Sequence, residues 1–338
     1  MRKLCFIGAG YFANEMHGPA LAHYVEEHPG EVELAGLCVR SNVERAEQFC
    51  QKFGFQRVYT DLDEMLDTEK PDVCWCVVPI EATRRIAGQL MERGIATFFE
   101  KPPGANLQEA RELAEISQRT GVPNQVAFNR RWAPGTRQLL AWGKECGPCD
   151  YLYARMLRPN RMDAQFAYGT GIHLLDCVRL LGAELLGGLR SAKTTRVRSP
   201  LDESSEQRPD DFEGQFSFHV EMEFGSGARG RCDILPLSGT VEESYTLFGA
   251  REAMTHYLPW RAAEVRLEGK AELWRKGELT EEKSYPNQPQ FLSVGIYGEA
   301  EEFLSALKEG RKPSPAAEEC VDSVALAAAV QAGRDIEF

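Results

Sequence analysis

The chain has 338 residues, enough for two domains of ordinary size. Its 43% hydrophobic and 27% charged residues are the usage of a folded globular protein and exclude a disordered one. A formal net charge of −12 repels phosphate backbones and anionic membranes, so neither nucleic acid nor a membrane is an expected partner. No apolar run approaches the ~20 residues of a membrane span. The opening residues run straight into a glycine turn without the apolar core of a secretory peptide, and a cytoplasmic location is expected.

Nearly continuous apolar runs at residues 4–7, 32–39, 73–78, 97–99 and 124–128 read as strands buried on both faces. Amphipathic stretches at 14–28, 43–53, 82–93 and 107–120 lie between them and read as helices. That alternation implies right-handed crossovers and a doubly wound parallel sheet. After about residue 130 the pattern changes. A helix at 137–144 precedes a strand at 151–156, and a second helix is expected over 169–181. Residues 216–224 alternate apolar with polar, the mark of an antiparallel strand with one wet face, and Gly225-Ser226-Gly227 follows as a hairpin turn. Further strands are expected at 230–235, 241–248 and 271–274, with a polar surface loop at 202–211. Helices at 297–309 and 316–333 close the chain, with Pro313 and Pro315 between them. The expected architecture is an α/β Rossmann domain over 1–128, then an α+β domain over 129–338 built on a large, mostly antiparallel open sheet. The second domain would bind substrate, and its open sheet needs a cover, so a homodimer or homotetramer is expected.

Of the ten cysteines, most lie in apolar runs, where a thiol behaves as a small hydrophobe. Cys146-Gly147-Pro148-Cys149 has redox spacing, but it follows a helix and precedes a strand, so it reads as a plain turn.

Two stretches carry chemistry. Gly8-x-Gly10-x-x-Ala13 follows a strand and opens a helix, the context a dinucleotide fingerprint requires. Gly8 permits the tight turn, Gly10 lets backbone approach a pyrophosphate, and Ala13 is small enough for helix to pack on strand. The next strand ends in Cys38-Val39-Arg40-Ser41-Asn42 with no carboxylate for a ribose 2′-hydroxyl. Arg40 can face or stack on the adenine side, and Ser41 and Asn42 can hydrogen-bond a 2′-phosphate, which favours NADP(H) over NAD(H); Arg40 beginning the next helix in solvent is the alternative. The second stretch is Phe99-Glu100-Lys101-Pro102, where a buried strand ends at a lysine. At the carboxyl edge of the sheet that ammonium would face the ligand crevice and stabilise alkoxide character, although spacing alone equally describes a surface lysine.

With these motifs, Val77-Val78-Pro79, Asn129-Arg130-Arg131-Trp132 and Gly171-Ile172-His173-Leu174-Leu175-Asp176, the chain resembles the Gfo/Idh/MocA oxidoreductases over essentially its whole length. The resemblance implies a bound nicotinamide nucleotide and sugar or polyol substrates. It implies cofactor contacts from Tyr11, Phe12, Pro79, Glu100, Arg131 and Trp132, and makes Lys101 the residue touching both substrate and cofactor. His173 matches the family's catalytic histidine, a proton acceptor beside the hydride transfer. Asp176, a turn further on, would orient it, meet substrate or pair with a cation. Many members carry an aspartate four residues before the histidine; here that position is Gly169. Asp163 could substitute, Lys101 and His173 could act alone, or the protein could be a non-catalytic regulator or scaffold that binds NAD(P). Arg155, Arg158, Arg161 and Tyr168 precede the histidine and would suit an anionic substrate, or equally form salt bridges. No metal is expected, because the other histidines and cysteines are scattered.

Overall fold

Leu4, Cys5 and Phe6 are fully buried on both faces of the first strand, β1 (Arg2–Ile7), which places it mid-sheet in a computed structural model. The structure describes residues 1–199, 215–262, 265–285 and 288–338; the loop expected at 202–211 lies outside them. The chain folds as two units, Met1–Asn129 with Gly295–Val321, and Arg130–Val294 with Asp322–Phe338.

In the first unit β1 is joined by β2 (Val32–Cys38), β3 (Arg57–Tyr59), β4 (Val73–Cys76), β5 (Ala96–Phe99) and β6 (Asn124–Val126). All pair in parallel, in the order β3-β2-β1-β4-β5-β6. The chain reverses direction across the sheet between β1 and β4, the switch point at which such sheets open a crevice. The connecting helices are α1 (Gly18–Glu27), α2 (Val43–Phe53), α3 (Leu62–Glu69), α4 (Ile80–Glu92) and α5 (Leu107–Thr120). Asn42 starts α2 by accepting from the Arg45 N–H, and Asn106 starts α5 by accepting from the Glu109 N–H. Edge strand β3 and helix α3 were not anticipated.

The division expected at 128/129 is incomplete. Helix Ile296–Glu309 returns to the first unit because its apolar face fits that core. Phe303 is fully buried with its ring against both Trp75 and Phe98, which stack at 3.7 Å. The Val126 N–H then donates to the Pro315 carbonyl at 2.9 Å, tying the returning segment to the sheet edge.

The second unit begins with α6 (Pro134–Glu145), β7 (Cys149–Leu157), α7 (Ile172–Leu185) and β8 (Leu189–Arg198). There follow β9 (Phe216–Phe224), β10 (Arg229–Leu235), β11 (Glu242–Gly249) and β12 (Glu252–Tyr257). A separate pair, β13 (Trp260–Ala262) with β14 (Val265–Leu267), precedes β15 (Gly269–Arg275), β16 (Glu278–Tyr285) and β17 (Ile336–Glu337). Nine strands form one sheet, ordered β16-β15-β12-β11-β7-β10-β9-β8-β17. Only the β7–β10 pair is parallel among these described strands. Alternation buries Leu152, Ala154 and Met156 on one face and turns Tyr151, Tyr153 and Arg155 to the other. The helix expected over 316–333 is a 3-10 turn, Ala317–Cys320, followed by helix Val321–Gln331.

Candidate active site

The nucleotide turn stands at the carboxyl end of β1, at the switch point. Gly8 is held by its N–H donating to the Cys38 carbonyl at 2.9 Å, with φ +100°. A Cβ there would fall 2.1 Å from the Val77 carbonyl oxygen, so the backbone leaving β4 demands glycine. Gly10 differs, because a Cβ would meet nothing within 4 Å. The first glycine satisfies the fold; the second leaves backbone exposed beside a helix start, a cradle that fits a pyrophosphate. Tyr11 follows with 76% exposure and Phe12 is half-buried, while Ala13 is fully buried under the helix. The helix is not regular throughout: after Tyr11 and Phe12, Ala13–His17 is one π-helical turn that runs into α1.

Arg40 and Ser41 lie exposed just beyond β2, and Asn42 adopts φ 63° to cap α2. Pro79 is exposed at the start of α4, its carbonyl accepting from the Ala82 N–H at 2.9 Å. Glu100 and Lys101 leave β5 at the same edge, where the Glu100 N–H donates to the Cys76 carbonyl at 3.1 Å. The Glu100 carboxylate is engaged at both oxygens. Oε1 is 2.7 Å from Nε2 of His17, and Oε2 accepts from the Lys101 backbone N–H at 3.1 Å. The other ring nitrogen of His17 accepts from Nε1 of Trp75 at 3.1 Å. His17 and Trp75 are fully buried, and neither was singled out from sequence.

In the second unit, His173 is buried near the start of α7, straight after another π-helical turn, Ala167–Gly171, which carries buried Tyr168. Asp176 is fully buried. Arg131 donates to both its oxygens at 2.7 Å, and the Ser323 hydroxyl donates to Oδ1 at 2.8 Å. Its carboxylate is thus taken by protein donors rather than turned toward a substrate. Arg158 requires the same correction. It is 1% exposed, with its guanidinium against Glu243 and stacked over Trp260 at 4.4 Å. Arg130 donates to the same carboxylate at 3.0 and 3.2 Å. Burial alone would push the Glu243 carboxyl up, but the two guanidiniums outweigh it and hold it at about 2. Arg155 pairs with Glu242 at 2.6 Å and Arg161 with Asp163 at 2.7 Å. These arginines form salt bridges, and the acid nearest in sequence to Gly169 is among them. At Gly169 a Cβ would meet nothing within 4 Å. Trp132 is half-buried, with the Arg137 guanidinium 5.2 Å over its ring.

Among the described residues, no group of three or more His, Cys, Asp or Glu could hold a metal ion. Cys146 ends α6 and Gly147 turns with φ +95°, while burial pushes the Cys149 thiol up to about 11, so neither cysteine stands where a helix start would activate it. No described helix is long and apolar enough to cross a membrane.

A doubly wound sheet with an open glycine turn at its switch point defines a dinucleotide-binding unit. Residues 2–128 match the Gfo/Idh/MocA oxidoreductase family, NAD-binding Rossmann fold. The chain is 26% identical over 212 residues to D-apiose dehydrogenase of Paraburkholderia graminis, covering 59% of this chain and 54% of that one. It is 32% identical over 152 residues to scyllo-inositol 2-dehydrogenase (NAD(+)) of Bacillus subtilis, covering 42% and 44%. The matched region thus spans about half the length of these curated relatives or less. A Gfo/Idh/MocA family oxidoreductase from Vibrio cholerae shares the fold of the whole chain, with TM-score 0.76, 22% identity and coverage of 98% and 97%.

Proposed function

We propose that the protein is a dehydrogenase that moves hydride between a nicotinamide nucleotide and a sugar-like or polyol alcohol or carbonyl. The observation carrying this reading is the convergence of the open Gly10 turn and the Glu100–Lys101 pair at one carboxyl edge. The names of the relatives, D-apiose and scyllo-inositol 2-dehydrogenase, point to the same substrate class. Gly8, Gly10, Tyr11, Phe12 and Pro79 would hold the nucleotide, with Arg131 and Trp132 as further contacts. When bound, that nucleotide supplies the hydride acceptor or donor. Lys101 would hydrogen-bond the reacting oxygen and stabilise its negative charge, and His173 would take the hydroxyl proton. Exposed Arg40 and Ser41, with no acid beside them, support NADP(H), whereas the Bacillus relative is named for NAD(+). An anionic substrate loses support, because Arg155, Arg158 and Arg161 are paired with acids.

Substituting Lys101→Ala should lower kcat by about 100-fold or more while nucleotide still binds. Unchanged turnover of sugars and polyols in Lys101→Ala removes the catalytic role of Lys101, whereas a wild type with no such turnover leaves a nucleotide-binding regulator. In fluorescence titrations of the wild type NADP(H) should bind tighter than NAD(H), and equal affinities would reject that preference. The reading includes a homodimer or homotetramer through the outer face of the nine-stranded sheet. Tyr151, Phe248 and Trp274 support it, being 37%, 39% and 36% exposed. Sedimentation that finds only monomer at micromolar concentration would rule it out.

A further inference from the structure

The helix that follows the nucleotide turn reaches across the sheet to the catalytic dipeptide through one imidazole. His17 closes the π-helical turn Ala13–His17, with Gly18 next and Pro19 beyond. Gly18 is required at this point, since a Cβ would come within 2.5 Å of the Phe53 ring. The wide turn directs His17 inward among Phe12, Trp75 and Phe98, with ring centroids at 5.3, 6.0 and 5.7 Å. An indole N–H can only donate, so the contact with Trp75 makes Nδ1 of His17 the acceptor and places its hydrogen on Nε2. Nε2–H then donates to Oε1 of Glu100, whose Oε2 accepts the Lys101 N–H. Every polar atom along this line from Trp75 to Lys101 therefore has one assigned role.

We infer that His17 is a positioning residue for Lys101, acting through Glu100 and locking the catalytic dipeptide to the helix that opens on the nucleotide. The inference rests on the dehydrogenase reading for its kinetic consequence, though not for its geometry. With Oε1 released, the Glu100 side chain can rotate and the backbone of Lys101 loses its fixed acceptor. The lysine would be misplaced by a fraction of an ångström to an ångström, while the glycine turn itself is untouched. Rate, more than nucleotide affinity, depends on that placement.

The test compares the full-length wild type with His17→Ala, His17→Gln and Trp75→Phe. Glutamine keeps one acceptor and one donor on its side chain; phenylalanine keeps a ring against Phe98 and removes the N–H. His17→Ala should reduce kcat by about 10- to 100-fold and change the nucleotide Kd by less than about threefold. His17→Gln should recover most of the rate, and Trp75→Phe should fall between. In parallel, lysines are reductively methylated with a ¹³C label, the Lys101 resonance being assigned by its loss in Lys101→Arg. That resonance should move in His17→Ala and return in His17→Gln. A wild type without turnover would overturn the dehydrogenase reading, and the resonance would still decide the role of His17. Unchanged kcat and resonance in His17→Ala would overturn the inference, as would a proportional loss of rate and nucleotide affinity that glutamine fails to rescue. Should the alanine variant not fold, Trp75→Phe decides alone, an unchanged rate and resonance counting against the link.

Discussion

Each unit delivers a buried histidine by the same local device, a π-helical turn that leads into an α-helix. Ala13–His17 precedes α1 in the first unit, and Ala167–Gly171 precedes α7 in the second. One widened turn re-phases the helix that follows, which suits a side chain that must point somewhere regular periodicity would not take it. The two histidines then meet opposite treatment. His17 is oriented by an indole at one nitrogen and a carboxylate at the other. Beside His173 the nearby acids are directed elsewhere, Asp176 to Arg131 and Ser323, and Asp163 to Arg161. The difference teaches that an acid a turn away from a histidine in sequence can be engaged by donors from distant parts of the chain.

The largest expected effect comes from Asp176→Asn. If Asp176 serves Arg131 and not His173, the substitution leaves a half-buried guanidinium without its counter-charge and should destabilise the second unit by on the order of 3 kcal/mol. Calorimetry reads that as a clear fall in Tm; an unshifted Tm together with an altered pH–rate profile would instead make Asp176 the partner of His173. Gly169→Asp should have the smaller effect. The position is helical with room for a side chain, four residues before His173. A carboxylate beside an imidazole favours its charged form and raises its pKa. Because proton acceptance needs the neutral ring, the acidic limb of kcat should move up by about one pH unit. A limb that stays in place would show that His173 is not the titrating group.

Much of the first unit was legible in sequence because its strands are buried on both faces, so their apolar runs stand out at β1, β2, β4 and β5. Strand β3 escaped notice since a three-residue edge strand leaves almost no pattern. Strand β8, with Lys193, Thr194, Thr195 and Arg196 at its centre, has too little apolar alternation to announce itself. The glycine turn and the Glu100–Lys101 dipeptide were visible because backbone geometry and strand ends impose local rules. His17 was not, as its partners lie 58 and 83 residues away. For Arg158 a substrate contact and a salt bridge stayed equally open for the same reason: Glu243, which takes its charge, is 85 residues further on.

The returning segment Gly295–Val321 also bears on how the chain is made. Phe303, Leu304 and Leu307 belong to the same core as Leu4, Phe6 and Trp75. During synthesis the nucleotide-binding unit therefore lacks part of its interior until residues 295–321 have emerged. By then the second unit has been made through Val294. The unit whose strands are made earlier is closed only after most of the other exists.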